Sequence, residues 1–363
     1  MITLYNLASN TYANLRLTDG LNSRSAWLMH EYSFVEMITN YKLCIEFIRS
    51  VLDFDNPVSF NRDRASHIII TWLLGIGFGQ HFKIHKFHNA PLNNSELLWL
   101  QTALTHDYGY FCKEVKRPGL SRSAIAGKYD LLDDKYYTNI LKCLDNMRFS
   151  SAYKDYFSYT PDEIDNYYKY AMNYHLRQHN ESEIADHGIV GGCMAFRKYC
   201  ETLHCPPTLT EEYLRIQKIA CYITASHNIF KSDSVECDID YMKYGLNNLL
   251  STSPKKVTKE NQLLLLLSLV DTVECTKRFS KKENGGRGYL KHSTILENVV
   301  VNFMPDSVEI DFGELYNFIM KKRKSIEMAE MLKKHVNAIA GLSKWSDFVT
   351  QKINDFKVTI MLQ

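Results

Sequence analysis

The residues with the clearest chemical potential are a histidine and an aspartate that stand side by side, His106 and Asp107. They follow an apolar stretch with helical spacing, so a nitrogen donor and an anionic oxygen donor are expected at the end of one core-facing helix. More residues of these two types lie on separate helix-like segments: His67, His187, His227 and Asp271. Mixed nitrogen and oxygen ligands suit Fe, Mn, Co, Ni or Zn without choosing among them. The six residues therefore predict a buried metal site.

Asp271 is the strongest physical anomaly in the sequence. It shares a helix face with Leu264, Leu267 and Ser268, in a segment that contains five consecutive leucines. An ionised carboxylate on such a face is costly to bury without a cation. A metal held jointly with histidines would supply one, and a buried salt bridge to a lysine or arginine is the alternative. His227 extends a strip of Ile and Ala in the same way, although a single histidine on an apolar face is usually a core residue.

The order of these residues, H…HD…H…H…D, resembles the HD-domain superfamily of metal-dependent phosphohydrolases in its variant that binds two metals. The resemblance runs from His67 to Asp271 and rests on six positions. It implies that the first metal is held by His67, His106, Asp107 and Asp271. Asp107 would bridge to a second divalent metal held by His187 and His227. It also implies hydrolysis of a phosphate ester or anhydride by a metal-bridging hydroxide, with Asp107 and His106 in the catalytic centre.

One feature departs from the superfamily pattern. Many members carry a lysine soon after the HD pair, in a form like HDxGK. Here Gly109 is kept, Tyr110 stands at the lysine position, and Lys113 lies one helical turn further on. This departure keeps a second reading open, the oxygenase branch similar to inositol oxygenase, in which a di-iron centre uses the same six ligands. A third reading is a regulatory binding protein whose metal site is structural.

Several basic residues are candidates for binding a substrate phosphate. Arg62 and Arg64 precede His67 at a predicted helix start, where the helix dipole disfavours cations unless an anion is near. The segment after the HD pair and the helix after Asp271 add further candidates: Lys113, Arg117, Arg122 and Arg278. The helix predicted over 260–278 places Arg278, seven residues after Asp271, on the same face, where it could bind a phosphate bidentately. These charges suit a phosphorylated substrate, and the resemblance implies a nucleotide, because the superfamily often acts on nucleotides. A solvated surface is the alternative.

The helical and strand-like patterns along the chain predict a mainly α fold. We expect an HD-type helical bundle with a small C-terminal α+β appendage. We expect a helical N-terminal segment over 1–60, a metal-binding core over 61–284 with a Tyr-rich insertion at about 108–182, and the appendage over 285–363. The first thirty residues look irregular, and a helix is predicted over 34–48. Residues 75–94, rich in Gly and His, predict a break between helices. Residues 298–304 and 307–311 predict a β-hairpin. After it we expect two helices, over about 313–340 with a break and over 343–353, and a final strand over 357–362.

Glycines beside His187 need a reason, because glycine costs helix stability. Gly188, Gly191 and Gly192 follow that histidine within one helical turn or so. Close approach of another backbone or of a ligand is the expected reason.

Composition excludes several classes of protein. The chain has 363 residues with 45% hydrophobic content, which fits a folded domain and not a disordered one. Lys and Arg total 43 against 41 for Asp and Glu, so the formal charge of +2 gives no sign of a nucleic-acid or membrane partner. The nine scattered cysteines lack a CxxC pair and predict reduced thiols. We expect a cytoplasmic enzyme with a small phosphorylated substrate; the oligomeric state stays open, a homo-oligomer included.

Overall fold

The computed structural model describes residues 1–16, 21, 23–52, 62–82, 94–107, 187–188, 191–192, 224, 227, 259–279, 290–305, 307–339 and 357–362. The chain divides into two compact units. The first comprises Met1–Glu96, Lys231–Asp233 and Leu265–Gln363, and the second comprises Leu97–Phe230 and Ser234–Leu264. The predicted boundaries at residues 60 and 284 stay predictions, and the insertion at 108–182 lies outside the described residues.

The N-terminal part of the first unit is a short strand followed by helices: β1 (Ile2–Thr3), α1 (Leu4–Leu15), α2 (Ser23–Glu31), α3 (Phe34–Thr39) and α4 (Tyr41–Leu52). The expected irregular start is therefore wrong. The hydroxyl of Thr3 caps α1 by accepting a hydrogen bond from the backbone N–H of Asn6 at 3.1 Å. The single helix predicted over 34–48 is also wrong, because the extended backbone of Asn40 separates α3 from α4.

Helix α5 (Arg62–His81) is the central helix of the first unit. Every residue from 65 to 79 is buried, as expected for a helix that is covered on all sides. Helices α1 and α4 both pack against it. The break predicted over 75–94 does not begin at Gly75, because the helix continues to His81. Residues 83–93 of that segment lie outside the described residues. A Cβ atom added at Gly77 would lie 2.7 Å from Leu7 Cδ1, so this glycine lets α1 approach closely and packing offsets its low helix propensity.

Four further helices carry or flank the candidate ligands: α6 (Asn94–Thr105), α7 (Lys259–Val273), α8 (Thr276–Phe279) and α9 (His292–Glu297). Trp99, Leu100 and Leu104 of α6 are buried, and His106 and Asp107 follow the last residue of this helix. The prediction that the HD pair ends a core-facing helix is confirmed. In α7 the leucine run supplies buried side chains up to Asp271.

A four-stranded sheet has the order β1-β2-β3-β4, with β2 at Val300–Met304, β3 at Ser307–Asp311 and β4 at Lys357–Met361. Strands β2 and β3 form the predicted hairpin, with Val301 opposite Ile310. Strand β4 runs parallel to β3, with Val308 opposite Val358. Strand β1 pairs antiparallel with β2, so the N-terminal residues complete a sheet that the sequence predicted for the C-terminal part alone.

Between β3 and β4 the chain forms α10 (Gly313–Phe318), a π-helical turn (Ile319–Arg323) and α11 (Ile326–Ile339). Lys324 has φ 51°, a left-handed conformation that ends the first helical run and produces the predicted break. The helix predicted over 343–353 lies outside the described residues. The mainly α fold with a small α+β part is confirmed. Among the described residues, no helix has both the length and the apolar content that crossing a membrane requires.

Candidate metal centre

Two groups of buried polar side chains in the described part of the chain are candidates for metal binding. The first cluster is His67, Asp271, Glu274 and Lys277, all in the first unit. The second cluster is His106, Asp107, His187 and His227, all in the second unit. Every metal ligand predicted from the sequence belongs to one of the two clusters.

His67, on α5, is the centre of the first cluster. Its Nε2 atom is 2.9 Å from Oδ1 of Asp271 and 3.0 Å from Nζ of Lys277. The same Nζ is 2.9 Å from Asp271 Oδ1. The side chain of Asp271 is only 2% exposed. The buried carboxylate therefore has an ion pair with a lysine, which is the alternative to a metal that the sequence left open.

Glu274 fixes the orientation of His67. Its carboxylate lies against the Nδ1 atom of His67 and accepts a hydrogen bond of 2.9 Å from the backbone N–H of Thr276. Burial opposes ionisation of Glu274, but attraction to His67 and the hydrogen bonds from His67 and Thr276 outweigh burial and lower the pKa of its carboxyl group. An ionised Glu274 accepts the Nδ1 proton, so in the neutral form of the ring it is Nε2 of His67 that keeps the lone pair. A metal-binding histidine needs this tautomer.

The second cluster surrounds the carboxylate of Asp107, which is fully buried. Its Oδ1 atom lies 3.5 Å from Nε2 of His106 and 3.4 Å from Nε2 of His187. The ring of His227 stands 5.1 Å from that of His187, centroid to centroid. One donor atom each from Asp107, His187 and His227 lies within 4.8 Å of the others, so these three side chains can hold a metal ion together.

Main-chain carbonyls orient two histidines of the second cluster. His106 Nδ1 donates to the carbonyl of Ala103 at 2.6 Å, and His227 Nδ1 donates to the carbonyl of Thr224 at 2.6 Å. A proton on Nδ1 leaves the Nε2 atom of each ring with its lone pair. Together with His67, three buried histidines have the Nδ1 partner that metal-binding histidines typically have.

Gly188 explains one of the glycines that the sequence singled out. A Cβ atom at this position would lie 2.7 Å from Cε1 and Nδ1 of His227, and 2.8 Å from the carbonyl oxygen of Thr224. The predicted close approach is confirmed for Gly188, and what approaches is the imidazole of a candidate ligand together with the carbonyl that orients it. A side chain at this position would displace His227.

The distances between donor atoms fit a metal better than they fit direct hydrogen bonds. Donors roughly 2.1 Å from a common ion, at tetrahedral or octahedral angles, stand about 3.0–3.4 Å apart. The separations from Asp107 Oδ1 to the His106 and His187 nitrogens, 3.5 and 3.4 Å, are long for a hydrogen bond and close to that range. Buried His and Asp groups of this chain can therefore bind metal ions.

Of the five basic residues proposed for substrate binding, the structure describes Arg64 and Arg278. Arg64 lies half-buried in the first turn of α5, three residues before His67. Arg278 is exposed on α8, while its neighbour Lys277 reaches the first cluster. The expectation that Arg278 continues the helix face of Asp271 is wrong, because α7 ends at Val273. The remaining positions lie outside the described residues: Tyr110, Lys113, Arg117 and Arg122.

Sequence reasoning missed the roles of Glu274 and Lys277. Both were visible as charged residues three and six positions after Asp271, at the end of an apolar helix. Their partner His67 is 207 and 210 positions away in the chain, so no local spacing pairs them with it.

The chain matches no protein-family model, no curated protein and no solved structure. Its resemblance to the HD superfamily therefore rests on the six residues named from the sequence.

Proposed function

We propose that the protein is a metal-dependent phosphohydrolase that acts on a phosphate ester or anhydride, with a nucleotide as the substrate class. The observation that carries the proposal is the second cluster. There a buried carboxylate is surrounded by imidazoles, and two of the three have Nδ1 tied to a carbonyl, which leaves their Nε2 lone pairs for a metal. A buried carboxylate among imidazoles placed in this way suits a metal ligand set, which supports the proposal.

In this proposal the six ligands form one two-metal centre. His67, His106, Asp107 and Asp271 hold the first metal, and Asp107 is shared with a second metal held by His187 and His227. The support is the order of the residues along the chain and the orientation of the histidines within each cluster. When bound, two divalent metals would act as Lewis acids and supply the nucleophile for phosphoryl transfer.

Residues around the two clusters orient the metal-binding histidines, and we assign the binding of the substrate phosphate to basic residues. Glu274 and the carbonyls of Ala103 and Thr224 hold the imidazoles in the ligating tautomer. Phosphate binding is assigned to the predicted basic residues: Arg64, Lys113, Arg117, Arg122 and Arg278. Guanidinium groups bind phosphate oxygens in pairs, which favours a phosphorylated substrate.

The competing function is O₂-dependent oxidation by a di-iron centre with the same six ligands. Tyr110 in place of the HDxGK lysine favours it, because the substrate contact expected of many hydrolases is missing. A regulatory binding protein with a structural metal site is the third reading.

An anaerobic assay separates these functions. The protein loaded with Mn or Co is incubated with a panel of nucleotide phosphates, and phosphate release is measured without O₂. We expect turnover, because Lewis-acid hydrolysis needs neither iron nor O₂. Replacing Arg117 or Arg122 together with Arg278 should weaken substrate binding more than it changes metal content. Failure across the panel, with O₂ uptake by the iron-loaded protein on a polyol or a phosphonate, would replace hydrolysis by oxidation. Failure of both would leave the structural role.

A further inference from the structure

The ammonium group of Lys277 contacts the donor atoms that the proposed function gives to a metal. Its Nζ is 2.9 Å from Asp271 Oδ1 and 3.0 Å from His67 Nε2. These two acceptors are themselves 2.9 Å apart, so one cation contacts both. An ammonium group can only donate, which means that it uses the lone pairs through which His67 and Asp271 would bind a metal.

A metal and the ammonium group cannot hold these atoms at the same time. A transition metal sits roughly 2.0–2.2 Å from histidine nitrogen and carboxylate oxygen, along the same lone pairs that the ammonium uses. Two cations sharing these acceptors would also repel each other strongly in a buried site. Metal binding at His67 and Asp271 therefore requires Lys277 to leave them.

The side chain of Lys277 can move away from His67 and Asp271. Its side chain is 16% exposed, whereas Asp271 is 2% exposed and His67 is fully buried. The flexible four-carbon stem can carry the charge to solvent, while the two acceptors stay fixed in the core. Glu274 holds the His67 ring through Nδ1, so the ring keeps its orientation when Nε2 changes partner.

We propose that Lys277 is a tethered cation that takes the place of the metal in the metal-free protein, neutralising Asp271 and keeping His67 Nε2 and Asp271 Oδ1 together until a metal displaces it. This proposal rests on the part of the proposed function that makes His67 and Asp271 ligands. The expected consequence is that Lys277 lowers the affinity for metal and stabilises the metal-free protein.

The test is Lys277→Met, which keeps the length of the side chain and removes its charge. Mn²⁺ binding is measured by calorimetric titration in a His187→Ala background, which isolates the first site, and melting is recorded with chelator and with saturating Mn²⁺. We expect Mn²⁺ to bind on the order of tenfold more tightly, because the donors no longer have to be freed from Lys277. The metal-free variant should melt at a lower temperature than the parent, and the Mn²⁺-saturated forms should melt alike.

Controls separate competition from a general effect of charge. Lys334→Met removes an exposed lysine with the same change in net charge and should alter neither measurement. In an Asp271→Asn background, the melting loss caused by Lys277→Met should shrink, since the pair is already broken. If Lys277→Met does not fold, Lys277→Gln serves the same measurements.

The results distinguish failure of the tethered-cation proposal from failure of the proposed function. Equal Mn²⁺ affinity with and without Lys277, or unchanged melting of the metal-free variant, overturns the tethered-cation proposal while the proposed function stands. If the protein with both sites intact and its Lys277→Met variant bind no Mn²⁺ at all, the proposed function fails and this proposal fails with it.

Discussion

The two clusters hold their buried carboxylates in different ways. In the first, Asp271 faces one imidazole and an ammonium group, and a second carboxylate, Glu274, orients the imidazole. In the second, Asp107 faces the imidazoles of His106 and His187, and main-chain carbonyls orient His106 and His227. The first cluster carries its own cation, which suits a site that forms before a metal arrives. The second surrounds a buried carboxylate with imidazoles, so we expect a bound cation to stabilise it more than the first.

The largest expected effect comes from replacing the carboxylate of the second cluster. Asp107→Ala should remove both metals and all activity, because this carboxylate is the proposed bridge. His187→Ala should empty mainly the second site and keep the first. Elemental analysis of the purified variants measures this directly. Full metal occupancy in Asp107→Ala would contradict the bridge, and identical behaviour of the two variants would contradict the division into two sites.

Glu274→Gln tests the carboxylate that orients the first cluster. The amide keeps the shape of the side chain but is a poorer acceptor for the Nδ1 proton of His67. We expect metal affinity at the first site to fall about 10–100-fold, the usual cost of losing such a partner. The second site, where His227 donates to the main-chain carbonyl of Thr224, should keep its affinity. Calorimetric titration with Mn²⁺ resolves the two sites, and an equal loss at both would show that Glu274 does not act through His67.

Gly188→Ala tests the close approach in the second cluster. The added methyl group would press on the His227 ring and on the carbonyl of Thr224, neither of which can move freely. We expect a loss of about 1–3 kcal/mol in the free energy of unfolding, together with weaker metal binding at the second site. Gly77→Ala is the matched control, because its methyl group would press on the Leu7 side chain and should lower stability without changing metal binding.

The smallest effect near neutral pH concerns His335, whose ring lies 6.0 Å from that of Phe312. Burial, together with the charges of Arg278 and Lys277, lowers the pKa of this imidazole to about 3. The unfolded chain binds a proton near pH 6.5 and the folded protein does not, so stability falls as the pH drops below 6.5 towards 3. The slope should approach about 1.4 kcal/mol per pH unit.

His335→Leu should flatten that dependence. Urea unfolding of the metal-free protein at pH 7.0 and pH 5.5 measures it, and His30→Leu, at an exposed histidine, serves as the control. An unchanged slope in His335→Leu would mean that another group controls the acid response.

Much of the fold and of the ligand set could be read from local patterns. Helical spacing predicted the helix that ends at the HD pair and the helix that carries His67, and alternation predicted the β2–β3 hairpin. These patterns work because periodicity reports which face of an element is buried. The pattern failed at Gly75–Gly79, where burial on all sides overrode low helix propensity, and at Arg278, where a helix end interrupted the period.

The sequence by itself determined the mainly α class and the six candidate ligands, since residue type and spacing are properties of the chain alone. Only the tertiary structure decided what surrounds those ligands. The pairing of His67 with Glu274 and Lys277 joins positions more than 200 residues apart. The pairing of β1 with β2 likewise joins strands that are almost 300 residues apart in the chain, with Ile2 opposite Val301. Packing brings such partners together, and packing depends on the whole core, which no local pattern encodes.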